Sequence, residues 1–176
     1  YNPNSVTDGN YYTSEEDIVA SLNGVYTSLT QSYVADNYHY FTDVRANATV
    51  VTNSGANSGI PYQFYNYTLT EENVYVYNRY SQLYKIISRA NTLFAHLGDV
   101  SYATPSARDT YEAEARFLRA LSYYWLVTEW GDVPLVLKVL ESTEEVRANN
   151  YRRPKAEIYQ AIFDDLKYVT ESPLLD

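Results

Sequence analysis

The sequence predicts an all-α fold built from four main helices. Four segments carry apolar residues at the spacing of three and four that one face of a helix requires, and capping residues, glycine or proline mark their ends. The chain has 176 residues and no Cys, so the core of a domain of this size has to stabilise it without disulfides. We expect residues 1–176 to form a single helical domain.

The first helix is predicted over residues 14–34. Two overlapping cap patterns open it, in which a hydroxyl residue is followed three positions later by an acidic one, Thr13 with Glu16 and Ser14 with Asp17. The apolar face that would turn toward the core consists of Ile18, Leu22, Val25 and Leu29.

The second helix has the most regular spacing in the chain, and Gly98 is expected to end it. Its apolar side chains recur in alternate steps of four and three, as one face of an amphipathic helix requires. These side chains are Val76, Tyr80, Leu83, Ile87, Ala90, Phe94 and Leu97.

The third helix is predicted from Thr104 and Pro105 to Gly131, since proline fits the first turn of a helix without losing a hydrogen bond. Residues 120–127 are apolar on almost every side, which is typical of a helix packed between neighbours. We therefore expect three large rings of this helix to lie in the core rather than on a ligand platform. They are Phe117, Tyr124 and Trp125.

The rest of the chain contains one more helix. Pro134 cannot continue the third helix, so residues 132–137 are predicted to be an extended connector that could include a short strand. Pro154 then opens the fourth helix, which ends before Pro173. The second and third helices, joined by a short link, form a helical hairpin, and from pattern alone the architecture is an irregular helical array.

Residues 36–72 form a long loop between the first two helices, rich in Asn, Thr, Ser, Gly and Tyr. Loops of this length are uncommon inside compact domains, where they usually bind something or are disordered. The many aromatic residues argue against disorder. Residues 50–52 and 64–69 are compatible with a small hairpin here.

Composition excludes several classes of function. The chain carries a formal net charge of -9, which disfavours nucleic acids and anionic membrane surfaces as partners. The absence of Cys and the presence of only two His exclude thiolate chemistry and imidazole-rich metal sites. No apolar run approaches the roughly 20 residues that a membrane-spanning helix needs. We expect no metal ion, no cofactor and no catalytic residues.

Charged pairs on the helices are interpreted as structural. Glu112 and Arg116 have the spacing of an ordinary pair on a helix surface, and Arg119 is expected to reach a neighbouring helix. Asn91 is expected to bond a neighbouring backbone group, because a buried amide needs partners. Adjacent carboxylates such as Asp164 and Asp165 point about 100° apart on a helix, whereas glycosidase carboxylates face each other across a bond.

Three stretches of the chain resemble the SusD/RagB family, the surface glycan-binding lipoproteins of Bacteroidetes. The longest runs from Glu114-Ala115-Arg116-Phe117-Leu118-Arg119-Ala120 through Tyr123-Tyr124-Trp125-Leu126 to Trp130-Gly131-Asp132-Val133-Pro134-Leu135. The others are the second-helix pattern beginning Tyr84-x-x-Ile87 and the fourth-helix pattern beginning Ile158-Tyr159. The resemblance implies an irregular tetratricopeptide-like helical framework. It covers the N-terminal part of the family, so we expect a part of a longer protein.

The resemblance also implies a function and a location. Family members are outer-membrane lipoproteins that deliver oligosaccharides to a SusC-like TonB-dependent transporter, and they draw part of their glycan site from the region after the first helix. The lipidated Cys at which they begin is absent from this sequence, so the anchor is an inference about a native N-terminus.

Physical chemistry selects candidate ligand residues within residues 36–72. Sugars present C–H faces that stack on aromatic rings and hydroxyls that bond polar side chains. The rings proposed for stacking are Tyr38, Tyr40, Tyr62 and Tyr65, and the polar groups proposed for hydroxyls are Asp43, Arg45 and Asn47. An equal alternative is that some of these tyrosines only anchor the loop to the helices.

Two other functions compete with glycan binding. A tetratricopeptide-like interaction scaffold would dock the transporter without contacting sugar, so loop tyrosines would be dispensable for partner binding. A hydrolase would need a nucleophile or an acid pair that the sequence does not offer.

Overall fold

The computed structural model of the protein describes residues 11–31 and 34–173. Helices dominate the described residues, which contain no β-strand; an isolated antiparallel bridge joins Val133 and Arg153. The α-helices are α1 (Glu15–Leu29), α2 (Tyr62–Tyr65), α3 (Val74–His96), α4 (Ala107–Trp130), α5 (Thr143–Asn149) and α6 (Lys155–Thr170). A π-helical turn at Tyr40–Val44 and a 3₁₀ turn at Ala56–Gly59 lie between α1 and α2. The all-α prediction is confirmed.

The four predicted helices correspond to α1, α3, α4 and α6, with shifts at their ends. The largest shift is in α1, which ends at Leu29 rather than at residue 34. Thr30 and Gln31 each donate a backbone N–H to the carbonyl three residues earlier, so the chain tightens into a turn there. One half of the predicted cap pattern of Ser14 and Asp17 forms, since the Asp17 carboxylate accepts the Ser14 backbone N–H at 2.9 Å. The other half does not form, because the Asp17 backbone N–H bonds the Ser14 carbonyl and not its side chain.

The sequence prediction missed α5 and gave the wrong structure for residues 64–69. Helix α5 buries no side chain, so it has no apolar face that a pattern search can find. The suggested hairpin does not form: the residues before Asn66 make the single turn α2, and no strand pairs with residues 50–52. The connector after α4 contains one bridging residue, Val133, instead of a strand.

The chain divides into two compact units, residues 1–26 with 86–176 and residues 27–85. The first unit contains most of α1, the C-terminal part of α3, and α4 to α6. Its core is formed by the inward faces of these helices, and α4 packs against α6. Fully buried members of this core are Ile18, Ile86, Ala90, Leu93, Leu118, Leu126 and Ile158.

A buried ion-pair network crosses the first unit. The Arg119 guanidinium donates to both oxygens of Asp165 on α6, at 2.8 and 2.7 Å, and to the Asn91 side-chain oxygen on α3 at 2.7 Å. Asn91 in turn donates to the Val136 carbonyl at 3.0 Å. Arg116 bonds Glu112 and Asp165 at 2.6 and 2.8 Å. The structural interpretation of these residues is confirmed, because they join three helices and the connector rather than forming an open charged cluster.

The prediction that the large rings of α4 are buried is wrong for two of them. Phe117 is 45% exposed and Tyr124 is 50% exposed, while Trp125 is half-buried. Seven residues separate Phe117 from Tyr124, so they lie on one face of α4. A helix that is apolar on all sides can therefore keep one face exposed, and its composition does not indicate which face the other described residues cover.

Candidate functional site

The insertion, which we define as residues 30–73 between α1 and α3, belongs to the second unit and packs a small core against the start of α3. This insertion core consists of Phe41, Val44 and Phe64 from the insertion and Tyr75 from α3, which are buried against one another. The rings of Phe41 and Phe64 meet edge to face, with centroids 4.9 Å apart. Contacts of this geometry add to the free energy gained from burial. Residues 34–73 of the insertion are therefore a packed structure and not a simple loop.

Asn73 fastens the end of the insertion to the start of α3. Its side-chain oxygen accepts the backbone N–H groups of Tyr75 and Val76 at 3.0 and 3.3 Å, which caps the helix. Its side-chain nitrogen donates to the Ile60 carbonyl at 3.1 Å and to Gln63 at 2.9 Å. Asn73 is 1% exposed, so its side chain makes these four bonds from a buried position.

A buried arginine supports the other end of the insertion. Arg79 of α3 is fully buried and donates to the Val34 carbonyl at 3.4 Å. Its guanidinium carbon lies 4.8 Å from the ring centroid of Tyr38 and 4.9 Å from that of Phe41. A cation between two rings is stabilised by their negative faces. Tyr38 therefore contacts Arg79 through one face of its ring, and the residue remains 36% exposed to solvent.

The remaining candidate tyrosines are half-buried. Tyr40 and Tyr65 pack against the insertion core, and the Tyr40 ring lies 5.5 Å from that of Tyr75. Burial, with a smaller effect of Tyr75, raises the pKa of Tyr40, so its phenol stays protonated near neutral pH. Tyr62 pairs with Tyr65 at 5.6 Å between centroids. Both predicted roles, anchoring and display, are therefore compatible with these rings.

The three polar candidates Asp43, Arg45 and Asn47 are exposed and follow one another along the π-helical turn and its exit. Asn47 has a φ of 58°, a left-handed conformation that asparagine tolerates better than most residues. The Tyr67 hydroxyl donates to the Arg45 carbonyl at 2.9 Å, and its ring is 66% exposed. This contact holds the exit of the turn and places one more ring at the surface.

A pocket of about 310 Å³ opens in the insertion beside the π-helical turn. It is lined by His39, Tyr40, Val44, Pro61 and the non-helical segment 49–53. Of the seven residues selected from the sequence, Tyr40 lines this pocket; the other six lie elsewhere in the insertion.

Sequence reasoning did not select His39 or segment 49–53. His39 and His96 enter the sequence analysis only through the exclusion of imidazole-rich metal sites, and the segment contains no aromatic ring. The signal that was available is a pair of threonines and an asparagine flanking two valines in a region already assigned to binding. The described residues contain no group of three or more His, Asp or Glu side chains placed to hold a metal ion.

Comparison with known proteins identifies the family. Residues 5–172 match the SusD-like family model described as starch-binding and associating with the outer membrane. The chain therefore belongs to the SusD-like family, which confirms the resemblance seen in α3, α4 and α6.

Individual relatives agree with this assignment. SusD-like protein P2 of Formosa agariphila is 28% identical over 162 residues, which cover 92% of this chain and 32% of that protein. A solved laminarin-binding SusD-like protein is 28% identical, with a TM-score of 0.74 over 90% of this chain and 34% of that chain. A SusD homologue from Bacteroides thetaiotaomicron is 25% identical, with a TM-score of 0.74 over 94% of this chain and 31% of that chain. This chain spans about a third of the length of each.

The comparisons bear on fold more than on the insertion's chemistry. They confirm a SusD-like helical fold, and the family is one associated with the outer membrane. Across the described part of the chain, no helix is both long enough and apolar enough to span a bilayer.

Proposed function

We propose that this protein binds oligosaccharides without catalysis and delivers them to a SusC-like TonB-dependent transporter of the outer membrane. The observation that carries the proposal is the insertion itself, in which a packed aromatic core supports partly exposed rings and a row of exposed polar groups. Membership of the SusD-like family and 28% identity to a laminarin-binding SusD-like protein support glycans as the ligand class.

The proposed contacts follow sugar chemistry. Exposed ring surface of Tyr38, Tyr62 and Tyr65 would cover C–H faces, since such stacking removes apolar area from water. Asp43 and Arg45 would bond hydroxyls, and charged partners strengthen such bonds. Asn47 would add an amide, and Tyr40 a neutral phenol. The interpretation of these side chains as a glycan site is a proposal that rests on their placement in the insertion.

Location and domain organisation complete the proposal. We place the protein at the cell surface as an outer-membrane lipoprotein, held by an N-terminal lipid in its native form. We interpret residues 1–176 as the N-terminal helical domain of a SusD-like protein, since the relatives it matches are about three times as long. Specificity would then be shared with parts of the protein outside this chain.

Isothermal titration of the complete protein with oligosaccharides of laminarin and of other plant and host glycans tests the proposal. Tyr38→Ala and Tyr62→Ala should each weaken binding by about 2- to 10-fold, the loss expected for one stacking contact. Tyr124→Ala is the matched control, because it removes an exposed ring from α4 and should leave affinity unchanged. Absence of heat with every glycan at millimolar concentration would refute glycan binding.

A protein-interaction scaffold is the second candidate, favoured by exposed aromatic side chains on α4 and α6. Phe117, Tyr124 and Phe163 are 45%, 50% and 63% exposed, and exposed apolar area of this kind is typical of interfaces. On this alternative, alanine variants of the insertion tyrosines would keep full affinity for the transporter. Phe163→Ala would weaken transporter capture while leaving any glycan titration unchanged.

A further inference from the structure

The pocket in the insertion has a lining of a particular kind. The Tyr40 ring, Val44 and Pro61 give it apolar walls, whereas Thr49, Thr52 and Asn53 give it uncharged polar groups. Among the described residues that line it, none is a carboxylate, an ammonium or a guanidinium. Its volume of about 310 Å³ lies at the lower end of the range for small-molecule sites. These dimensions suit a small, uncharged and partly apolar ligand.

The lining contains both donors and acceptors of hydrogen bonds. His39 Nδ1 lies 3.0 Å from the Asp36 carbonyl, and a carbonyl only accepts, so Nδ1 carries the proton. In the neutral imidazole Nε2 is then an acceptor. Asn53 uses its side-chain oxygen to accept the Gly55 backbone N–H at 3.0 Å, which leaves its amide N–H groups as donors. The threonine hydroxyls can do either.

Such a lining matches the surface of a sugar ring, which presents hydroxyls that both donate and accept around an apolar face. We propose that this pocket binds one neutral sugar ring of the glycan, with His39 Nε2 and the polar groups of segment 49–53 bonding its hydroxyls. This inference deepens the proposed function and rests on it. It names the class of sugar taken at this point, a neutral hexose or pentose rather than a uronic or sulfated residue.

Charge is the reason for excluding acidic sugars. A carboxylate or sulfate bound there would find no lysine or arginine in the lining, and so would lack the charged partners that make hydrogen bonds to an anion strong. The net charge of -9 on the chain adds a long-range repulsion of anions. Arg45 is exposed on the neighbouring turn but is not part of the lining.

The test uses the complete protein and two ligand series of equal length, neutral laminari-oligosaccharides and acidic oligogalacturonates. Wild-type protein should bind the neutral series, with no heat from the acidic one. His39→Phe keeps a ring against Tyr40, 4.0 Å away in the wild type, but removes the acceptor. It should weaken neutral binding by about fivefold, the effect of one lost hydrogen bond. The control is His96→Phe, since His96 lies in the other unit.

A second variant blocks the space. Val50 lines the pocket and is 59% exposed, so Val50→Trp can fill the mouth without disturbing a core. It should weaken neutral binding at least about tenfold, a loss far larger than surface substitutions cause. The control Val139→Trp enlarges an exposed valine, 38% accessible, in the other unit. The imidazole NMR signals of the unmutated protein provide an independent measurement. The neutral ligand should shift the signals of His39 and leave the signals of His96 unchanged.

The outcomes separate the two proposals. If the wild-type protein binds no oligosaccharide of either series or of the wider glycan panel, the proposed function fails and the pocket assignment fails with it. If glycans bind but His39→Phe and Val50→Trp match the wild type and the His39 signals do not move, only the pocket assignment is overturned. Binding of the acidic series as tight as that of the neutral series, with the same shift of the His39 signals, would equally overturn it.

Discussion

Removing the buried Asp165 carboxylate should destabilise this protein more than removing any exposed charge. Asp165 is 2% exposed and accepts three guanidinium bonds, two from Arg119 and one from Arg116, at 2.7 to 2.8 Å. Asp165→Ala would leave the Arg119 guanidinium, 6% exposed, without its counter-ion. Breaking one partner of a buried pair costs about 3–5 kcal/mol, because the remaining charge stays desolvated.

That cost is a large part of the whole stability of an ordinary domain, which is about 5–15 kcal/mol. In a chain of this length each kcal/mol lowers the melting temperature by about 2–4 °C. The predicted decrease is therefore about 6–20 °C. Urea unfolding followed by circular dichroism measures the free energy directly, and an unchanged slope m would show that the unfolded state is the same.

Two further variants make the test specific to a buried charge. Glu157→Ala removes an exposed pair with Arg153, 3.3 Å apart, and should change stability by less than about 1 kcal/mol. Replacing both buried partners by apolar residues, Arg119→Met with Asp165→Leu, should recover much of the loss, since no unpaired charge between the two remains. A loss for Asp165→Ala below about 1 kcal/mol, with m unchanged, would refute the reasoning.

Three more predictions concern single side chains. Asn73→Ala should lose at least about 1 kcal/mol in urea unfolding, because it removes a buried helix cap and two donors. Asn73→Ser, which keeps an uncharged oxygen for the cap, should lose less. Hydrogen bonds from the Ala103 N–H, and to a smaller extent from the Tyr111 hydroxyl, lower the pKa of Glu15. The ionised carboxylate therefore stabilises the folded state at pH values above its ordinary pKa of 4.5. This stabilisation is lost as the pH falls through the lowered pKa. Glu15→Gln should flatten this part of the stability-versus-pH curve. Gly131→Ala should destabilise the protein by about 1 kcal/mol or more, because this residue has a φ of 75°. Gly24→Ala is the contrasting change: the residue lies inside α1 and an added Cβ would meet open space, so it should stabilise the protein by about 0.5–1 kcal/mol.

The parts of the fold that sequence predicted are those with a period. Helix α3 was bounded to within a few residues, because one apolar face recurs along its whole length and Gly98 follows it. The partners of Arg119 and Asn91 were anticipated in kind, since buried polar groups must be bonded. Their particular partners, Asp165 and the connector carbonyls, needed the structure, because they lie 45 or more residues away.

The insertion shows where pattern reasoning stops. Tyr40 and Phe41 are neighbours in one π-helical turn, yet the second is buried and the first half-buried. Irregular backbone has no fixed period, so the sequence does not indicate which ring turns inward. The composition of residues 50–52 and 64–69 is compatible with a small hairpin, but Phe64 instead fills the insertion core from the helical turn α2. Burial of one ring decided the local structure, which a propensity argument cannot anticipate.

Anchoring and display, the two roles open to the insertion's aromatic residues, depend on each other. A binding surface made from loops loses affinity to the entropy of ordering them, unless the free protein already holds them in place. Phe41, Phe64 and Tyr75 supply that order by burial, and Asn73 fixes the end of the segment with four hydrogen bonds. The inward rings therefore do not count against glycan binding. On the proposed function, they would let the half-exposed rings and the pocket bind a sugar without first having to fold around it.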